Sequence, residues 1–173
     1  LFRSQPYTRK DLAELDATIR SEIPRSMLFM PDDLRGSAKT LPAAIRTNGW
    51  PTLAEARGKV LFLMDNEGSV RSLYLKGHEN LAGRALFTSS RPGEPSAAFV
   101  KENDPMGLKG QRIRQLVRDG YVVRTRADAD TEQARSGDTS MRDAALASGA
   151  QWVSTDYPTI TDNRFGKIGR AHV

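Results

Sequence analysis

The chain has 173 residues, 38% of them hydrophobic and 27% charged, which fits a globular domain and excludes collagen-like, coiled-coil and wholly disordered chains. The longest apolar run, Val60 to Met64, is far too short to span a bilayer, so no transmembrane segment is expected. With no cysteine, disulfides and thiolate metal sites are excluded. The net charge of +5 favours anionic partners, but the basic residues are mixed with 21 acids and form no tract, so no nucleic-acid partner is expected.

Thr8 and Asp11 resemble a capping box, and Leu12, Leu15 and Ile19 then recur at helical spacing, predicting a helix that ends before Pro24. The stretch from Arg25 to Pro51 is punctuated by Pro and Gly, with short helical pieces around Leu41 to Arg46 and, beyond it, Leu53 to Ala56. Lys59 to Met64 reads as a strand covered on both faces, closed by Asp65-Asn66. Further strands are predicted at Arg84 to Thr88, Ala97 to Val100, Tyr121 to Arg126 and Gln151 to Ser154. Helices marked by Ile113, Leu116 and Val117 and by Met141, Ala145 and Leu146 fall between them, and Ala127 to Thr139 reads as a polar loop.

Alternating strands and helices imply βαβ units and a mostly parallel sheet, in which polar residues at the C-terminal strand ends carry the chemistry. Neither a dinucleotide glycine triplet nor a Gly-Lys-Ser/Thr element is present. A (β/α)₈ barrel needs about 250 residues, so the expected fold is a partial TIM barrel, its C-terminal half. Ile168 to Val173 reads as one frame of a sequencing adapter, which predicts a barrel portion over residues 1–167 and a non-native tail over 168–173.

At the strand ends, Asp156 is the leading candidate for a catalytic role, its alternative being a turn cap before Pro158. Asp65 either accepts hydrogen bonds from substrate hydroxyls or closes a turn leading to Gly68. Arg124 and Arg126 lie two apart on a strand and share a face with Val122. Facing a barrel interior they suit phosphate, because the guanidinium fork matches its oxygens; facing outward they are ordinary surface charges. Asp128 and Asp130 are expected to pair with these arginines and hold them. Lys101 and Asn103 share a face beyond the preceding strand, where an amine and an amide reach a ligand together or a turn closes at Asp104-Pro105. No contiguous calcium loop occurs, so the residues themselves nominate no metal site. Trp50 and Trp152 read as packing, although an aromatic at a barrel rim is able to touch a membrane surface.

Three stretches resemble the bacterial calcium-dependent phosphoinositide phospholipases C: Pro51 to Asn66, Arg124 to Thr131 with Ala134-Arg135 and Asp138-Thr139, and Ser148 to Pro158. They occur in the family's order, within a resemblance running from about Pro31 to Pro158. Ser154-Thr155-Asp156-Tyr157-Pro158 is also similar to the last barrel strand of glycerophosphodiester phosphodiesterases. The resemblance implies a secreted TIM-barrel phosphodiesterase acting on phosphoinositide or another phosphodiester. A ring hydroxyl attacks phosphorus, two histidines transfer protons and Ca²⁺ offsets phosphate charge. It also implies that the histidines and calcium ligands lie on N-terminal barrel strands. The only histidines are His78, read as a solvated surface residue, and His172, in the suspected tail, so this piece alone is expected to be inactive. A glycerophosphodiester phosphodiesterase and a non-catalytic α/β module binding phosphorylated ligands are the alternatives. The module predicts a cooperative thermal transition for the chain alone, whereas a half-barrel predicts exposed strand edges and aggregation.

Overall fold

The computed structural model describes residues 5–157. The chain forms two compact units that divide between Ala98 and Phe99. Among the described residues the strands make two open parallel sheets, of two and three strands, with no closed barrel. The predicted adapter-like tail lies outside the described residues.

The first unit opens with helix α1 (Arg9–Glu22), whose capping box is formed by Thr8 and Asp11 as the sequence predicts. The bonds from Thr8 hold the Asp11 carboxyl below its ordinary pKa. A 3-10 turn (Arg25–Met27) follows, then α2 (Pro31–Arg35), α3 (Leu41–Thr47) and α4 (Leu53–Ala56). Strand β1 (Phe62–Met64) pairs in parallel with β2 (Leu86–Thr88), connected through α5 (Gly68–Leu75). The strand expected over Lys59 to Met64 is shorter than its apolar run. Val60 forms an isolated bridge to Leu28, and Phe62 and Leu63 are half-buried rather than covered on both faces. Phe87 is fully buried and lies against Phe29 and Trp50, with ring centroids 6.1 and 5.5 Å away, so Trp50 packs as expected.

A polar network fixes α1 in this unit. The carboxylate of Asp16 accepts bonds from the Tyr74 hydroxyl (2.5 Å), Arg84 Nη1 (3.0 Å) and the Ala85 amide (2.9 Å). All three side chains are buried, and the Arg84 guanidinium lies 4.3 Å from the Tyr74 ring centroid. Burial and the bond to Asp16 push the Tyr74 phenol well above its ordinary value of 10.0. His78 is half-buried rather than solvated: its Nδ1 bonds the Ala82 carbonyl (2.7 Å) in the turn after α5.

In the second unit β3 (Phe99–Lys101), β4 (Val122–Arg126) and β5 (Trp152–Ser154) form a parallel sheet in that order. Helix α6 (Gly107–Arg118) connects the first pair; α7 (Glu132–Ser136) and α8 (Ser140–Ala147) connect the second. The segment read as one polar loop therefore contains α7, whose short length and single buried residue, Ala134, leave little helical periodicity to detect. Helices α6 and α8 pack on β4, where Val123 and Thr125 are fully enclosed. Register places Lys101 beside Arg124, Arg124 beside Trp152, and Arg126 beside Ser154. These residues lie on the other, less buried face of the sheet. Trp152 is 38% exposed and packs on Phe99 at 5.8 Å.

Candidate functional site

The C-terminal edge of the second sheet carries five of the six residues singled out from sequence, and a cavity of about 450 Å³ opens there. That size suits a small polar head group. The β3–α6 loop contributes Asn103, Asp104 and Met106 to its lining, and β4 contributes Arg126. Gln133 of α7 and Met141 of α8 complete the wall, with Ser140 beside them.

Arg124 and Arg126 share the half-buried face with Val122, as their spacing requires. Arg124 Nη1 donates to Asn103 Oδ1 at 3.2 Å. Arg126 Nη2 donates to Asp156 Oδ2 at 3.0 Å, and these two side chains are 27% and 54% exposed. Asp156 takes one arm of the Arg126 guanidinium, and Arg126 also lines the cavity. Lys101 is half-buried beside Arg124 and does not line the cavity. Asp65 follows β1 in the first unit, where it is exposed.

The expectation that Asp128 and Asp130 hold the arginines is corrected. Asp128 is 1% exposed and serves the end of β5: one oxygen accepts the Thr155 hydroxyl and the other the Asp156 amide at 2.9 Å. Asp130 adopts φ 53° and accepts the Tyr157 hydroxyl through its backbone carbonyl.

Sequence reasoning did not single out Met106, Gln133, Ser140 or Met141. Gln133 sits in the undetected α7, where its Oε1 accepts the Ala129 amide (3.0 Å). Asp104, read only as closing a turn, does close one by accepting the Met106 amide (3.0 Å), and it also pairs with Lys109 (3.1 Å). Those two contacts, the amide first, lower its pKa. The Asn103-Asp104-Pro105 run was the available signal for a loop shaped to present its neighbours.

Calcium requires six to eight oxygen ligands. Among the described residues no group of three or more His, Asp or Glu side chains converges. The edge carboxylates Asp104, Asp128 and Asp156 are already engaged by amides, a hydroxyl and cations. The described residues therefore do not fit a calcium cradle.

The family model described as Ca²⁺-dependent phosphoinositide phospholipase C matches residues 1–168. The chain belongs to that family. Among solved structures it is similar to a Ca²⁺-dependent phosphatidylinositol-specific phospholipase C from Streptomyces antibioticus, with 19% identity and a TM-score of 0.61. The likeness covers 83% of this chain and 57% of that one, so this phospholipase C family member spans just over half the length of its neighbour. At that identity the likeness bears on the fold alone, and each unit shows the open, parallel α/β arrangement expected of part of such a barrel. No curated protein matches the chain. Among the described residues no helix is long and apolar enough to cross a membrane.

Proposed function

We propose that this chain is the C-terminal barrel portion of a secreted phosphoinositide phospholipase C, and that the edge of its second sheet binds the phosphorylated head group. The observation that carries the reading is Arg126, paired with Asp156 and lining a cavity of about 450 Å³ that also offers the polar side chains of Asn103, Gln133 and Ser140. Arg126 binds phosphate oxygens, while the Asn103 and Gln133 amides and the Ser140 hydroxyl suit the hydroxyls of a polyol ring. Arg124 and Lys101 add positive potential on the same sheet face. Met106, on the loop bordering the cavity, is 43% exposed and Leu108, in the first turn of α6, 81%, which suits peripheral contact with a membrane surface.

In this reading a ring hydroxyl displaces the lipid alcohol at phosphorus, giving a cyclic inositol phosphate. The histidines that would pass the protons, and the ligands that would hold the family's Ca²⁺, belong in this reading to N-terminal barrel strands that this chain does not supply. The described part binds and orients the substrate; His78, committed to the Ala82 carbonyl, takes no part.

The test uses the full-length protein that carries this chain, assayed on phosphoinositide vesicles. Arg126→Gln and Asp156→Asn are each expected to lower turnover at least about tenfold, the loss of roughly 1.4 kcal/mol of transition-state stabilisation, with little change in thermal stability. Undiminished turnover in both variants removes this edge from the site. Hydrolysis of glycerophosphodiesters in place of inositol lipids would instead assign the cavity to the related phosphodiesterase chemistry.

A further inference from the structure

An ion pair as exposed as Arg126–Asp156 does not hold its own geometry. Its side chains are 27% and 54% exposed, and a solvated pair of this kind contributes at most about 1 kcal/mol, less than it takes to freeze two flexible side chains. What surrounds the pair is better fixed. Asp128 is enclosed, and its carboxylate is divided between the Thr155 hydroxyl and the Asp156 amide, 2.9 Å away. Thr155 Oγ1 in turn accepts the Tyr157 amide at 3.0 Å. Two residues before Asp128, Arg126 leaves the same β4 end, and the Ala127 amide bonds the Ser154 carbonyl at 2.8 Å. The ends of β4 and β5 are thus tied by a buried charge-assisted clamp beside the exposed pair.

We propose that Asp128 is a positioning residue for the phosphate site, fixing the backbone of Asp156 so that its carboxylate holds Arg126 toward the cavity. This rests on the phosphate reading of the cavity for its consequence, but not for its geometry. The clamp sets where the Cα–Cβ bond of Asp156 starts. A carboxylate on a loose loop would release Arg126 to solvent, and the cavity would lose the one cation that lines it among the described residues. An enclosed acceptor serving two adjacent groups on a neighbouring strand end also explains why a charge is buried where a threonine–amide contact would otherwise suffice.

The experiment measures inorganic phosphate binding by the full chain, together with the Arg126 side-chain N–H signals in NMR. Asp128→Ala is expected to weaken phosphate binding at least about fivefold and to broaden the Arg126 signals into those of solvated arginines. Asp128→Asn keeps an oxygen for the Asp156 amide and is expected to stay within about twofold of the parent, each decade of affinity being worth about 1.4 kcal/mol. Tyr74→Phe, which destabilises the other unit, controls for lost stability and should leave both readouts unchanged. In an Asp128→Ala background, Arg126→Gln should cost little more, because the cation has already left the site. Parent-like Arg126 signals in Asp128→Ala overturn the proposal, as do independent, additive losses from the two substitutions. A parent that binds no phosphate, yet loses its ordered Arg126 signals in Asp128→Ala and regains them in Asp128→Asn, refutes the phosphate reading and upholds the clamp.

Discussion

Removing the Asp16 carboxylate should cost the first unit more than any other single truncation on its surface helix. Asp16 is 3% exposed and Arg84 6%, so Asp16→Ala leaves a guanidinium buried without its counter-charge. It also strips the acceptor from the Tyr74 hydroxyl and the Ala85 amide, 2.5 and 2.9 Å away. Breaking one side of a buried pair costs about 3–5 kcal/mol. The Arg84 Nη2 bond to the Tyr74 carbonyl at 2.7 Å survives, which favours the middle of that range, about 4 kcal/mol. For a chain of 173 residues that predicts a fall in Tm of about 8–16 °C. Thermal unfolding followed by Trp50 fluorescence reports on this unit once Trp152 is replaced by Phe. A double-mutant cycle with Arg84→Met then isolates the coupling, expected at about 2 kcal/mol or more. A Tm loss under about 3 °C, or strictly additive single substitutions, would show that the network is not what fixes α1.

The same network predicts an alkaline limit. Because the folded-state pKa of Tyr74 is raised above its ordinary 10.0, its contribution is complete below that value and is lost as pH rises beyond it, where the unfolded chain alone ionises. Urea titrations from pH 9 to 11 should show the parent losing stability faster than Tyr74→Phe; parallel curves would place the hydroxyl outside the network. In the second unit, a Cβ on Gly110 would lie 2.1 Å from the Pro105 carbonyl oxygen. Gly110→Ala should therefore destabilise, although alanine ordinarily gains about 1 kcal/mol over glycine within a helix. A Tm at or above the parent's would show that the β3–α6 loop gives way freely.

The parallel arrangement and the strand-end location of polar residues were legible because apolar runs broken by Asp65, Lys101, Arg124 and Asp156 recur between helical patterns. The common face of Arg124 and Arg126 followed from the two-residue period alone. Burial of polar side chains was not legible. Asp16 and Asp128 look like solvated positions in a local pattern, and each is enclosed by partners from distant sequence: Arg84 is 68 residues from Asp16, and Thr155 is 27 from Asp128. Helix α7 escaped for the opposite reason. Five residues ending in a left-handed Gly137 carry less than two turns of periodicity. The lining residue Gln133 was lost with it, and Met141 was read only as marking the helical face of α8, since nothing local shows that these two helices meet at one cavity.

One device recurs on the two loops that shape the site. Asp104 accepts the Met106 amide and so fixes the turn that offers Met106 and Leu108 to solvent. Asp128 accepts the Asp156 amide and so fixes the strand end that holds Arg126. In each case a carboxylate bonds backbone, and the exposed group that would meet a ligand is one of its neighbours. That division of labour separates folding from recognition, because a residue bonded to an amide is not released when a ligand arrives. It also gives the candidate site an ordering of effects. Substitution at Arg126 should act on ligand affinity with stability preserved, whereas substitution at Asp128 should act on both. An Arg126→Gln variant that melts as early as Asp128→Ala would show that the guanidinium is itself part of the scaffold.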